Sequence, residues 1–531
     1  MMKTFSDIFS TYLEPKNDAL NLPKRHTFSI IVGLFVCWCL VFIWRSSFLI
    51  DGQRWFCLVD DAMVSMRYAR NMAAGLGPVW NPNEAIEGFT NPLWMLFMAT
   101  PHMIGIPEHL TSLFIQLASV IVLVTNLFAA RRLGRALACT HKESAGNAAA
   151  LFTACLYPLN YWSLMGMEVG CLAALATWAV TLAVEDISHG RFTLRPYLLC
   201  ALATFIRMDA IAIFLALGCS AILIDPAHRK RIMTSCVILG ICALGIQEIV
   251  RYAVYGEWLP NTYYLKMTGF PGLLRISRGL LYTGLSLLCF PVLFIVIFAI
   301  KQHYLSKKTF AQQRLILCPV FVFLSMVSYS VYVGGDAWER LIDLNRFVST
   351  VATLLIVILT AIAFYRRRPS TIVIAILAIG CLIFRSTSPA DSLLLRPPVD
   401  RVDNIRNTTV ALKLRDAIAP TSRIAVEYAG TMPYFMPNHS MVDLLGKSDK
   451  HIARTPMHRN FLNLSKWREF YPGHLKWDYE YSIGKLQPEV ICAIWKKNAP
   501  YAEPFLTEYL EQDYLGTQLY FLKGTVVPDL H

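Results

Sequence analysis

The chain has 531 residues, of which 55% are hydrophobic and only 16% charged, against about 25% charged in an average soluble chain. A soluble globule of this composition would have to hide more apolar surface than its volume allows, and disordered, collagenous and coiled-coil chains are excluded with it. The formal net charge of +13 lies largely in short loops between apolar runs, so it reads as the positive-inside signature of a polytopic α-helical membrane protein, with no nucleic-acid partner.

Residues 1–27 form a basic segment expected in the cytoplasm. The first apolar run, 28–44, follows Lys16, Lys24 and Arg25 and leads into Arg45-Ser46-Ser47-Phe48. No small-residue cleavage pattern follows it, so a retained helix is predicted. Further charge-free runs lie at 110–130, 144–167, 169–184, 196–206, 210–224, 232–247, 279–300, 315–335, 347–365 and 369–384. The basic loops between them include Arg131-Arg132, Arg191 to Arg195, Arg229-Lys230-Arg231, Lys307-Lys308 and Arg366-Arg367-Arg368. Placing these loops in the cytoplasm gives about eleven crossings, with the C-terminus outside. Runs 196–206 and 210–224 are short for spans of about 20 residues and are predicted to form a hairpin with Arg207-Met208-Asp209 at its outer tip. Segment 92–106 reads as a partial or interfacial helix. The transmembrane region is thus drawn at 28–387, with a first outer loop at 51–92.

From 388 to 531 charges and aromatics mix and no run is long enough to span. A soluble α/β domain on the outer side is predicted, with strands at 424–428 and 490–495 and a helix at 404–418. Most of the 14 cysteines lie inside apolar runs and act as small hydrophobes. One pairing, Cys57 with Cys492, is left to be tested. No Cys/His cluster has zinc spacing; no cofactor is expected, and a metal is not required, with the paired acids of the first loop leaving that question open.

The densest polar stretch is the first outer loop. It contains Asp60-Asp61, Arg67-Tyr68, Arg70-Asn71, Asn81, Glu84, Glu87 and Asn91. Its middle reads as a helix opening at an Asp and closing at Gly75. Adjacent acids diverge by about 100° on a helix, so only one faces any given atom. One is the candidate base and the other caps or orients, and the expectation leans to Asp60 because it precedes the helix. Other polar clusters fall on the same side: Glu168, Arg207 with Asp209, Glu257 through Lys266, and Gly334-Gly335-Asp336 through Asn345-Arg346. Ionisable groups beside membrane spans are costly and mark a site by default.

These residues carry a resemblance. Asp60-Asp61, Arg67-Tyr68-Ala69-Arg70-Asn71, Gly75-Leu76-Gly77, Asn81-Pro82, Glu87-Gly88-Phe89-Thr90-Asn91 and Leu93-Trp94 resemble the first-loop signature of GT-C membrane glycosyltransferases. The nearest likeness is to mycobacterial terminal β-arabinofuranosyltransferases and related bacterial envelope or pilin arabinosyltransferases. Met165-Gly166-Met167-Glu168 resembles their TGME segment, and Gly256, Leu259-Pro260-Asn261-Thr262, Tyr264 and Lys266 their G-x-x-LPNT-x-Y-x-K. Val442-Asp443-Leu444-Leu445-Gly446, Asp449 and Ile452-Ala453 resemble IDMLGL-x-D-x-x-IA, and Pro472-Gly473-His474 with Lys476 resembles PGH-x-K. Two departures stand out: Asn345-Arg346-Phe347 where relatives carry His-Arg-Phe, and Arg207-Met208-Asp209 where R-P-D/E is usual.

The resemblance implies transfer of a sugar, with arabinofuranose expected, from a polyprenyl-phosphate donor to an acceptor hydroxyl on an envelope glycan or a surface protein such as pilin. The protein would be multi-pass in a bacterial plasma membrane, with site and C-terminal domain facing outward. Asp60 and Asp61 are the catalytic candidates. Arg67, Arg207, Lys266 and Arg346 are candidates to hold the donor phosphate, and Tyr68, Glu87, Asn91, Glu168, Asp209, Asn261, Tyr264 and Asp336 to bind substrate. Trp467, Trp477, Tyr479 and Tyr481 are candidates for an acceptor platform. The rival readings are another lipid-linked-sugar transferase or an oligosaccharide ligase of the same superfamily, and a polytopic transporter. For the transporter, internal repeats are expected and none is visible.

Overall fold

The computed structural model describes residues 26–288, 314–339, 345–364, 374, 378, 389–458 and 470–525. Most of the predicted run at 369–384, the run 279–300 from residue 289 on, the loops at Lys307-Lys308 and Arg366-Arg367-Arg368, most of the segment before Thr27, the boundary at 387/388 and Trp467 lie outside them.

Four described helices are long and apolar enough to cross a membrane: α1 (Thr27–Ser46), α4 (Glu108–Leu137), α7 (Val169–Ser188) and α10 (Arg229–Tyr255). A helix satisfies its own backbone, which hydrocarbon demands. Their unpartnered apolar faces, such as Leu34 and Trp44 on α1 and Ile238, Ile241 and Ile249 on α10, are exposed and suit lipid. Where α4 meets α5 (Lys142–Ala154), Gly134 lies against Gly146 and Ala149. Small residues there let the two backbones approach closely.

The predicted run 144–167 is not one span. It breaks at Cys155-Leu156 into α5 and a short helix α6 (Tyr157–Leu164) with Pro158 in its first turn. A proline there lacks the N–H that would continue the preceding helix. The run 347–365 likewise divides, into α14 (Arg346–Ser349) and α15 (Ala352–Ala363). The expected hairpin is present: α8 (Arg195–Ile206) and α9 (Ile211–Ile224) join through a 3₁₀ turn, Met208–Ala210. Segment 92–106 holds a 12-residue helix, α3 (Pro92–Met103).

The first loop folds as a small hairpin, β1 (Phe48–Ile50) with β2 (Gln53–Trp55), then α2 (Asp60–Ala73). Helix α11 (Asn261–Met267) follows α10. Next come α12 (Gly272–Leu288) and α13 (Leu317–Val333), which pack together.

The C-terminal part opens with α16 (Pro389–Ser392) and α17 (Arg401–Ala417) and builds a five-stranded sheet. Strands β3 (Arg423–Val426), β4 (Ser440–Asp443) and β5 (Val490–Cys492) run parallel, with β4 and β5 flanking β3. Strands β6 (Tyr509–Tyr514) and β7 (Thr517–Leu522) add antiparallel beyond β5. Alternate residues of β3 face opposite sides. Ile424 and Val426 join the core shared with the helical body, whereas Ala425 joins a separate core with Ile491, Trp477 and Tyr479. Trp477 and Tyr479 are therefore core residues, which corrects their reading as an acceptor platform. Cys57 and Cys492 are both buried free thiols, so the pairing left to be tested is not made.

Candidate active site

Helix α2 opens with both acids in its first turn, where they favour the positive end of the dipole. The N-cap is Val59 and no side chain caps the helix, so the capping role expected of an acid is not filled. The acids then part. The carboxylate of Asp60 turns to the C-terminal segment and accepts the backbone N–H groups of Thr431 at 2.8 Å and Gly430 at 3.3 Å. Gly430 is required at this joint, because a Cβ there would collide with the Asp60 carbonyl oxygen. Burial raises the Asp60 carboxyl, opposed by the Lys447 charge and the Thr431 N–H.

Asp61 faces a group of cations. Arg346 donates to it at 2.7 Å, the Lys447 ammonium donates to its other oxygen, and the Trp338 indole N–H lies 3.4 Å away. Burial alone would raise the Asp61 carboxyl, but Lys447, Arg346 and Lys266 outweigh it and hold the group well below the usual carboxylate range. The geometry thus reverses the lean towards Asp60.

Arg346 is fixed from behind. Asp336 accepts its Nε at 2.8 Å, its Nη2 at 2.8 Å and its backbone N–H at 3.0 Å. The Trp162 ring of α6 lies under the guanidinium, 5.2 Å from its centroid, with the Trp338 ring against Trp162. Asn345, where relatives carry His, accepts the Val348 N–H at 2.9 Å and so caps α14, while its amide donates to Ser330 and Glu339. Beside this group Arg207, at the hairpin tip, donates to Glu168 at 2.8 Å and twice to Asp209, and Asn91 donates to Glu168 at 2.8 Å. Lys266 makes no hydrogen bond or ion pair among the described residues. Burial, with Arg346, Lys447 and Arg207 nearby and Asp61 opposing, brings its ammonium down to about 8.

The structure therefore gathers Asp61, Lys266, Arg346, Asp336 and Arg207, with Glu168, Asp209 and Asn91 bonded behind Arg207. Other candidates are spent on assembly. Arg67 is fully buried and donates to the carbonyls of Trp80, Pro433, Met436 and His439. With its donors turned to backbone it is no phosphate ligand, a correction. Tyr68 bonds Ile86, Gly88 and Ser448, and Glu87 pairs with Arg251 at 2.6 Å. Asn261 donates to the carbonyls of Gly446, Lys447 and Asp449, and the Tyr264 ring lies under Arg454 at 4.0 Å. These four hold loops together, and no hydrogen bond joins them to Asp61 among the described residues.

Sequence reasoning missed Lys447 and Trp162. For Lys447 a signal existed: it is a charge at the apolar fifth position after Val442 in the segment resembling IDMLGL. Trp162 sat inside what read as a membrane span.

The fold has counterparts among solved structures. The structure superposes on ArnT of Cupriavidus metallidurans in the apo state with a TM-score of 0.58 at 13% identity, covering 93% of this chain and 98% of that one. The same enzyme bound to undecaprenyl phosphate gives 0.59 at 11% identity, covering 93% and 97%. The Archaeoglobus fulgidus oligosaccharyltransferase gives 0.53 at 10% identity, covering 97% and 76%. The chain has the GT-C fold.

Within the GT-C fold, the sequence likeness is narrower. The terminal β-(1→2)-arabinofuranosyltransferase of Mycobacterium tuberculosis is 25% identical over 239 residues, 43% of this chain and 35% of that protein. The matched stretch thus spans about a third of the curated relative's length. Residues 400–517 match a family described as a domain of unknown function (DUF8728), which includes Lys447 and the joint at Gly430-Thr431.

Proposed function

We propose that this protein transfers a sugar, arabinofuranose, from a polyprenyl-phosphate donor to an acceptor hydroxyl on an envelope glycan or a surface protein such as pilin, at the outer face of a bacterial plasma membrane. The observation that carries the reading is a half-buried carboxylate, Asp61, set among Arg346, Lys447 and an ammonium, Lys266, that has no hydrogen bond or ion pair among the described residues. Attack by the acceptor oxygen on the anomeric carbon forms the new glycosidic bond and breaks the bond to phosphate. The acceptor's proton goes to Asp61, and the bond's electron pair leaves on the phosphate oxygen. Lys266 and Arg346 stabilise the charge that develops there. Asp336 and Trp162 position Arg346. The lipid tail explains why the site lies among membrane helices, and the complex of ArnT with undecaprenyl phosphate supports a lipid carrier here.

The test is transfer by purified protein from polyprenyl-phosphate arabinofuranose and from hexose donors. Arabinofuranose transfer that is lost in Asp61→Asn is expected. Transfer from hexose donors alone would overturn the sugar, and no transfer from any polyprenyl-phosphate sugar would overturn the donor class. The likeness to the archaeal oligosaccharyltransferase over 97% of the chain supports a second reading, transfer of a preassembled oligosaccharide, which the same assay tests with a lipid-linked oligosaccharide.

A further inference from the structure

Lys447 reaches the site from the C-terminal segment, on a loop whose backbone is closely tied. The Asp443 carboxylate accepts the N–H groups of Leu445, Gly446 and Ser448 at 3.0, 3.1 and 2.6 Å. Asn261 of α11 holds the carbonyls of Gly446, Lys447 and Asp449 from the other side. The backbone is thereby pinned, and the freedom left lies in the four-carbon stem of the lysine, whose head is a mobile point charge. That head now sits on Asp61.

Arg207 pairs with two acids, Glu168 and Asp209, while Arg346, Lys447 and Lys266 face Asp61 and Asp336. The reaction changes the distribution of charge among these groups. When the anomeric C–O bond breaks, the phosphate becomes a monoester with a second negative charge. In the same event Asp61 gains the proton and loses its own. Total charge is conserved, but the anion that Lys447 neutralises has moved from the carboxylate to the phosphate.

We propose that Lys447 is a shared catalytic cation that passes from Asp61 to the leaving phosphate as the proton and the sugar move, so that the C-terminal segment supplies part of the chemistry of sugar transfer. This rests on the reading of Asp61 as the base of a lipid-phosphate transferase. Such a handover resolves a difficulty, because a carboxylate paired with two cations is a weak base. As charge grows on the phosphate it draws Lys447 away, and Asp61 gains basicity as the proton is needed. An interaction with phosphate made only as charge develops lowers the barrier rather than merely tightening binding.

The test separates this from a static ion pair. Asp61→Asn removes the carboxylate charge and so mimics the protonated base. It is expected to bind undecaprenyl phosphate, the monoester product analogue, about 10-fold more tightly than the wild type, because Lys447 is released to it. In the Asp61→Asn/Lys447→Met double variant that gain should disappear, a coupling that a double-mutant cycle reads directly. Lys447→Met alone should lower kcat by about 100-fold with little change in KM for the donor, and Lys447→Arg should restore part of it. If Lys447→Met does not purify folded, Lys447→Gln serves in the same cycle. A gain in Asp61→Asn that persists without Lys447, or no gain at all, overturns the handover. These binding measurements need no turnover, so they remain decisive whichever sugar the transfer assay identifies, and a failure of the transfer assay alone overturns the proposed function.

Discussion

The two ends of polar commitment on helix α2 differ in what they bond. On the side turned to the C-terminal segment, Asp60 and Arg67 end on backbone N–H groups and carbonyls of residues 430–439. Asp61, by contrast, ends on side-chain charges, Arg346 from the helical body and Lys447 from the C-terminal segment, with the Lys266 ammonium beside it unbonded among the described residues. Bonds to backbone are fixed in number and place and suit assembly. Charges facing charges can be redistributed, which suits proton and group transfer. The difference teaches that an ionisable residue beside the membrane is a site residue only when its partners can exchange it.

The largest effect that sharpens this contrast is on activity. Asp61→Asn should fold and keep the C-terminal segment in place while transfer falls by about 100-fold or more. If Asp60→Asn instead abolishes transfer in a stably folded protein and Asp61→Asn does not, the assignment of the two ends is reversed. Next comes Arg67→Met. Removing a buried guanidinium leaves several carbonyls without donors, which should destabilise the protein by about 3 kcal/mol or more. Thermal unfolding checks this, and the folded fraction should bind undecaprenyl phosphate normally. A selective loss of phosphate binding would return Arg67 to the site.

A smaller effect is expected from pH. Lys266 titrates at about 8, below its ordinary value, so it is charged at neutral pH and neutral above that point. Affinity for undecaprenyl phosphate should fall as pH rises through about 8, and Lys266→Arg should flatten that limb because a guanidinium stays charged. An unchanged limb would remove Lys266 from the phosphate. The smallest effect lies away from the site. Burial pushes the Glu427 carboxyl up to about 8. A folded value raised above the unfolded one means stability is greatest below the ordinary range and is lost as pH rises towards 8. Glu427→Gln should therefore raise the melting temperature more at pH 8 than at pH 5, and an equal change at both would discount the burial of that charge.

Much of the framework was legible because it rests on local pattern. The short apolar, β-branched runs at 424–428 and 490–495 gave two strands that pair in register, Ile424 with Val490. An opening Asp and Gly75 bounded α2, and short runs around Arg207 gave the hairpin. The acid pair and Arg346 with Asp336 were also found, since charge beside membrane runs is rare. What was not legible depends on direction. Sequence cannot tell a guanidinium aimed at carbonyls, as Arg67 is, from one aimed at a carboxylate, as Arg346 is. Nor can it tell the core aromatics Trp477 and Tyr479 from a surface platform, because both patterns place rings on alternating positions. Proline at 158 was the available sign that the run 144–167 breaks, yet its apolar composition outweighed it.

The bond between Asp61 and Lys447 joins residues 386 positions apart. During synthesis at about 5–20 residues per second, the first loop is made roughly 20–80 s before its partner lysine. Through that interval Asp60, Asp61 and Arg67 have none of their partners from residues 430–447. An incomplete chain thus lacks the complete cluster around Asp61. Competence arrives late in the life of the nascent protein, with the docking of its C-terminal segment.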